Sequence, residues 1–103
     1  MLSTTIIGHI GADATVREVS GKQAINFRVA HKEKFTRDGT KQEKTVWVDC
    51  TVWKDKATSL PDYLKKGQKV YLEGTPSADG YTHKETGELI SILRLNVRKL
   101  DLI

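Results

Sequence analysis

Two tryptophans share one side of a short stretch with an acid and a hydroxyl. Apolar residues alternate strictly with the others from Thr45 to Trp53, which predicts a strand. One side of this strand carries Val46, Val48, Cys50 and Val52. The other side carries Trp47, Asp49, Thr51 and Trp53. Large rings are costly to leave in water, so a flat apolar object such as a nucleic-acid base is expected to cover this side. Rings packed under a loop or in a subunit interface would explain the same pattern.

Two further aromatics, Phe35 and Tyr81, stand among charged residues at expected hairpin tips, residues 31–41 and 79–88. Cations lie near all four rings, and we expect the rings and these cations to share one face: Arg28, Lys32, Lys34, Arg37, Lys54 and Lys84. A base stacked on an aromatic ring contributes about 1–3 kcal/mol whatever the base. Each neutralised phosphate adds about 0.7 to the salt dependence of log K for single strands. We therefore expect sequence-tolerant, salt-sensitive binding of unpaired strands, with the rings stacking on bases and the cations contacting phosphates.

The charge balance agrees with a polyanionic partner, whereas motifs for catalysis are missing. The chain has 17 Lys and Arg against 13 Asp and Glu, a net charge of +4. It contains no Walker phosphate loop, and the stretch from Gly8 to Gly11 lacks the third glycine of a dinucleotide site. The histidines at 9, 31 and 83 have no partner at metal-ligand spacing, and Asp49 has no acid–base partner. No enzyme activity, metal or cofactor is expected.

The 103 residues are expected to form one domain, residues 1–103. No apolar run is long enough to cross a bilayer, and the N-terminus does not resemble a secretory leader. We expect a cytoplasmic protein associated with the nucleoid. Cys50 is the single cysteine, so a disulfide within the chain is excluded, and its position in the alternation predicts a small buried hydrophobe.

Periodicity predicts three strands, a helix and two strands. The first strand covers 2–10 and continues over 15–19 to a turn at 20–22, and the second covers 24–34. Asp38 and Gly39 mark the hairpin turn that leads into the tryptophan strand. Two later strands are predicted over 69–74, ending in a turn at 75–77, and over 89–97 with continuation to 103.

The helix is predicted between the third and fourth strands. Ala57, Leu60 and Leu64 share one helical face, Gly67 suits the residue after the C-terminus, and Pro61 suits the first helical position. This order is that of an all-β, five-stranded OB-fold Greek-key barrel with one short helix between strands 3 and 4.

The sequence resembles the bacterial single-stranded DNA-binding protein family over nearly its whole length. The similar stretches follow in order: Ile7 to Asp13 with Val16 and Arg17, Asn26 to Ala30, Thr45 to Trp47, Tyr63 to Gly67, and Val70 to Gly74. The resemblance implies that Phe35, Trp47, Trp53 and Tyr81 occupy the base-stacking positions of the family. It also implies protection of single-stranded DNA in replication, recombination and repair, and assembly into a homotetramer, with a dimer as the other possibility.

One departure concerns the C-terminus. Family members usually continue into a linker and an acidic tip that recruits replication and repair enzymes, whereas this sequence ends at Ile103. A trimmed chain and a short, tailless member both fit, and for either we expect no tail-dependent recruitment.

Two alternatives stay open. One is a dimeric single-strand binder resembling primosomal replication protein N, which acts in replication restart. The other is an OB-fold module that binds protein or oligosaccharide with its aromatics buried in the interface.

Overall fold

The computed structural model describes residues 1–55, 58–82, 84–87 and 89–103, and for residues 81 and 89–91 it describes the backbone alone. The elements, in chain order, are β1 (Thr4–Ile10), β2 (Thr15–Val19), β3 (Lys22–Arg37), β4 (Thr40–Asp55), a 3-10 helix (Leu60–Tyr63), β5 (Lys69–Thr82) and β6 (Leu89–Leu102). No helix of the described residues is long and apolar enough to cross a membrane.

Five strands close into a barrel. β4 pairs with β3 on one edge and with β6 on the other, β6 pairs with β5, β5 with β1, and β1 returns to β3 at His9 and Ile10. β2 lies outside this ring as an added strand on β3. The all-β OB-fold barrel predicted from the sequence is therefore confirmed, with the extended stretch 15–19 forming a strand of its own.

The core lies inside the barrel and is built from the alternating residues of each strand. Val48, Cys50 and Val52 of β4 are buried there with Ile25 and Val29 of β3. Burial and the neighbouring Asp49 carboxylate raise the pKa of the Cys50 thiol to about 12. The thiol is therefore neutral at physiological pH, and Cys50 is the buried hydrophobe that the sequence predicts.

The predicted helix is a single 3-10 turn. Asp62 N–H donates to the Ser59 carbonyl at 3.0 Å and Leu64 N–H donates to the Pro61 carbonyl at 3.3 Å, the three-residue spacing of a 3-10 helix. Pro61 is its second residue instead of its first, since the helix begins at Leu60. Leu64 is buried and Leu60 packs against the core, whereas Ala57, predicted on the same helical face, lies outside the described residues.

The turn predicted at residues 75–77 is wrong, because β5 continues through it to Thr82. Pro76 is tolerated there because β1 pairs with β5 only as far as Gly74. Beyond that residue β5 has β6 on one edge alone, and a proline without an N–H is compatible with an edge strand.

Candidate nucleic-acid interface

The long β3–β4 hairpin positions both tryptophans. Its pairing runs without interruption from Lys22 opposite Asp55 to Arg37 opposite Thr40. The turn between the strands has positive φ at Asp38 (52°) and Gly39 (76°), as the sequence predicts. Because the pairing contains no bulge, strand alternation decides which side of the hairpin each side chain occupies. We call the side that faces away from the core the outer face.

Trp47 and Trp53 lie on the outer face, and each is 46% exposed. Ala30 stands directly opposite Trp47, and Ala24 stands opposite Trp53. A methyl group covers little of a neighbouring indole, so the small residues on β3 leave the rings accessible. Trp53 follows Trp47 by six positions, which corresponds to roughly 20 Å along the strand. The outer face therefore presents two separate apolar platforms.

Trp47 is held by two neighbours. The guanidinium carbon of Arg28 lies 5.1 Å from the centroid of the indole, within the range of a cation–π contact. On the other flank, a Cβ added to Gly11 would lie 2.5 Å from Cζ3 of the ring. Only a residue without a side chain permits this approach. Gly11 N–H also donates to the Arg28 carbonyl at 2.9 Å, which joins both neighbours of the ring.

A charged row crosses the outer face between the tryptophans. Arg28 stands opposite Asp49, and Asp49 stands opposite Arg94 on β6. Arg28 Nε lies 2.9 Å from Asp49 Oδ1. Arg94 Nε lies 3.4 Å from Asp79 Oδ2. Arg28, predicted as a phosphate contact, thus also orients Trp47 and is balanced by a carboxylate.

A polar row lies beside it. Thr51 donates from its hydroxyl to Asn26 Oδ1 at 2.8 Å, and Asn96 of β6 stands opposite Thr51.

On β2, Arg17 stands opposite Ala24 and therefore shares a row with Trp53. Arg17 and Arg94 were missed in the sequence. Arg17 could have been found by counting back from the turn at residues 20 and 21, whereas Arg94 requires knowledge of the parallel pairing of β4 and β6.

The remaining predicted residues divide between the two sides of the hairpin. Lys32 and Lys34 are on the outer face, where Lys32 Nζ lies 3.9 Å from Glu43 Oε1. Phe35 is 40% exposed, as expected, but alternation puts it on the opposite side of the hairpin from Trp47. Two of the predicted cations, Arg37 and Lys54, share its side. The predicted single face is therefore divided.

The last two predicted residues lie near the end of β5, Tyr81 within the strand and Lys84 in the connection to β6. Lys84 is exposed there, after the end of β5. The backbone of Tyr81 pairs with Ile90, while its side chain lies outside the described part of the structure. His83 is also outside it. Among the described residues, no group of three or more His, Cys, Asp or Glu is arranged to hold a metal ion.

The fold and this site define a class: an OB-fold barrel with half-exposed aromatic platforms and cations on one side of its central hairpin. Comparison with known proteins identifies the family. The sequence model of the single-strand binding protein family matches residues 1–103, and the chain belongs to that family.

Several curated relatives are similar in sequence. The single-stranded DNA-binding protein 1 of Chlorobaculum tepidum is 38% identical over 85 residues, which cover 81% of this chain and 52% of that protein. The single-stranded DNA-binding protein of Neisseria meningitidis serogroup A is 38% identical over 82 residues, 78% of this chain and 47% of the relative. The chain spans about half the length of the curated relatives it matches.

Solved structures agree with the fold. The Plasmodium falciparum SSB in complex with ssDNA is 25% identical, with a TM-score of 0.75 over 100% of this chain and 93% of that chain. The small single-stranded DNA-binding protein from Streptomyces coelicolor has a TM-score of 0.80 over 99% of this chain and 94% of that one. At 13% identity, the second likeness shows the fold alone.

Proposed function

We propose that this chain binds single-stranded DNA with little sequence preference, by stacking bases on exposed rings and neutralising phosphates. The observation that carries the proposal is the outer face, on which two half-exposed tryptophans stand opposite alanines, with the charged row of Arg28, Asp49 and Arg94 between them. Stacking uses the π-face that every base has, so it does not select a sequence. A duplex hides these base faces and is expected to bind less tightly.

The predicted stacking set is Phe35, Trp47, Trp53 and Tyr81, and the predicted phosphate set is Arg28, Lys32, Lys34, Arg37, Lys54 and Lys84. The division of the hairpin into two sides suggests that a bound strand passes over an edge of the hairpin to reach Phe35 after Trp47. A path of this kind would use both sides of the ribbon. Membership of the single-strand binding protein family supports the proposal.

In the cell, we propose that the protein coats and protects unpaired DNA during replication, recombination and repair, in the cytoplasm at the nucleoid. Its role would be binding and not catalysis.

We further propose a homotetramer. Ile7 on β1 is 47% exposed and stands opposite Tyr71 of β5 on the outside of the barrel, and this exposed apolar side chain supports self-association. A solution mass of four chains is expected, whereas two chains would favour the dimeric alternative.

The proposal is tested by the intrinsic tryptophan fluorescence of the protein during titration with unlabelled oligo(dT), at low and high salt and against duplex. Saturable quenching that weakens with salt and is faint with duplex is expected. Trp47→Ala and Trp53→Ala should each weaken binding by about 1–3 kcal/mol. Their thermal unfolding should stay close to wild type, since both rings are half exposed. Fluorescence that oligo(dT) leaves unchanged would contradict the proposal and favour a protein-interaction module.

A further inference from the structure

A β-bulge on β6 sets the direction of one arginine. Glu73 stands opposite Lys99 and Gly74 stands opposite Val97, so Arg98 is an extra residue without a partner in the pairing. A Cβ added to Gly74 would overlap the backbone carbonyl of Asn96. The glycine therefore permits the close approach of the two strands at the bulge.

The guanidinium of Arg98 is anchored by neutral groups. Nη1 donates to Thr75 Oγ1 at 2.9 Å, and Nη2 donates to Ser3 Oγ at 2.7 Å. Arg28 and Arg94 on the outer face lie beside carboxylates, but the hydrogen-bond partners of Arg98 in the described part of the chain are two hydroxyls. Its positive charge is therefore held in place without being balanced by these partners.

Arg98 lines a groove with Lys54, from the end of β4, and Tyr63, from the 3-10 helix. The other described residues of this groove are uncharged: Val52, Thr58, Ser59, Leu60 and Leu100. Tyr63 is 57% exposed, more than either tryptophan. Lys54 follows Trp53 directly in the sequence. The groove thus combines an exposed ring and two cations, with no carboxylate among its described lining residues.

We propose that this groove binds a nucleotide of the single strand that continues past Trp53, with its base on the Tyr63 ring and its phosphate between Lys54 and Arg98. The inference rests on the proposed function and extends it by two residues, Tyr63 and Arg98. The charge of the groove complements a phosphate, and its apolar floor suits a base. Lys54 follows Trp53 directly but points to the other side of the hairpin. A single strand that turns around β4 from the Trp53 ring would therefore meet the groove, which makes a single strand the occupant that fits.

The first test compares the affinities of Tyr63→Ala and Tyr63→Phe for oligo(dT) with that of wild type. Loss of one stacked base is expected to weaken the binding of Tyr63→Ala about tenfold. Tyr63→Phe keeps the ring and should bind like wild type. Since Tyr63 is largely exposed, both variants should fold, and their thermal unfolding temperatures verify this.

The second test concerns the phosphate. Arg98→Gln should reduce the slope of log K against log salt by about 0.7, the contribution of one phosphate contact to a single strand. Lys66→Gln serves as the charge-matched control, because Lys66 is exposed in the loop after the 3-10 helix and does not line the groove. The slope of this control should equal that of wild type.

The contact itself is mapped by irradiating wild-type protein bound to an oligonucleotide that carries 5-iodouracil, which crosslinks to stacked aromatic side chains. A crosslinked peptide containing Tyr63 is expected. If wild type binds oligo(dT) while Tyr63→Ala matches it in affinity and no crosslink reaches Tyr63, the inference is wrong and the proposed function stands. If wild type itself does not bind, both are wrong.

Discussion

Replacing Asp49 by asparagine is expected to tighten DNA binding while slightly lowering stability. The Asp49 carboxylate lies in the charged row between the tryptophans, 2.9 Å from Arg28 Nε and opposite Arg94. A carboxylate on this face repels phosphates and offsets the charge of Arg28. Asparagine keeps an oxygen that can accept the hydrogen bond from Arg28, so the contact of Arg28 with Trp47 should persist while the negative charge disappears.

The size of both effects follows from the geometry. Freeing one cation for a phosphate adds about 0.7 to the slope of log K against log salt. A tenfold decrease in salt would then separate variant from wild type by about fivefold, or about 1 kcal/mol. The side chains of Arg28 and Asp49 are 62% and 36% exposed, so their ion pair is largely screened. Its loss should cost no more than about 0.5 kcal/mol of folding stability.

The assay is the oligo(dT) titration at several salt concentrations, paired with urea unfolding. Asp101→Asn changes the net charge by the same amount but lies on the part of β6 that pairs with β5, opposite Tyr71. Only the Asp49 variant should show the steeper salt dependence. Equal slopes in the two variants would mean that overall charge, and not the row on the outer face, governs binding. Weaker binding by Asp49→Asn would refute the reasoning outright.

Two further predictions concern the barrel. Gly74→Ala should lower the free energy of unfolding by about 1–3 kcal/mol, because its Cβ meets the rigid backbone carbonyl of Asn96. Urea unfolding measures this loss against the exposed control Ser77→Ala, and equal stability of the two variants would contradict the prediction. The raised pKa of Cys50, about 12 against 9.0 for the free thiol, means that the unfolded state loses this proton first as the pH rises. Between pH 8 and 10, wild type should therefore lose about 1 kcal/mol more stability than Cys50→Ala, and parallel losses in urea unfolding would show that the thiol does not titrate in this way.

The central hairpin was predictable because its information is local. Alternation from Thr45 to Trp53 fixed the side of each tryptophan, and the turn at Asp38 and Gly39 fixed the register. Counting along β3 in the same way puts Phe35 on the side opposite Trp47. Phe35 follows the buried Val29 by six positions, an even number, so both side chains lie on the same side of the strand. The expectation of a single aromatic face came from composition and ignored this even spacing.

The charged row of Arg28, Asp49 and Arg94 could not be predicted from the sequence, for a different reason. Asp49 meets Arg94 through the parallel pairing of β4 with β6, which closes the barrel across some 40 intervening residues. No local pattern encodes such a pairing, since it depends on how the whole sheet curls. Periodicity identified β4 and β6 as strands but left open which residues of one stand beside which residues of the other.

The bulge on β6 is an intermediate case. Leu95 and Val97 are buried, yet Leu100 packs against the core farther along, so the core-facing positions change from odd to even numbers. A change of parity within one strand requires an extra residue, and a glycine on the neighbouring strand permits the close approach this entails. The presence of a bulge can therefore be read from the sequence. Where Arg98 points cannot, because its anchor Ser3 lies 95 residues away in the chain and reaches the bulge only after the barrel has closed.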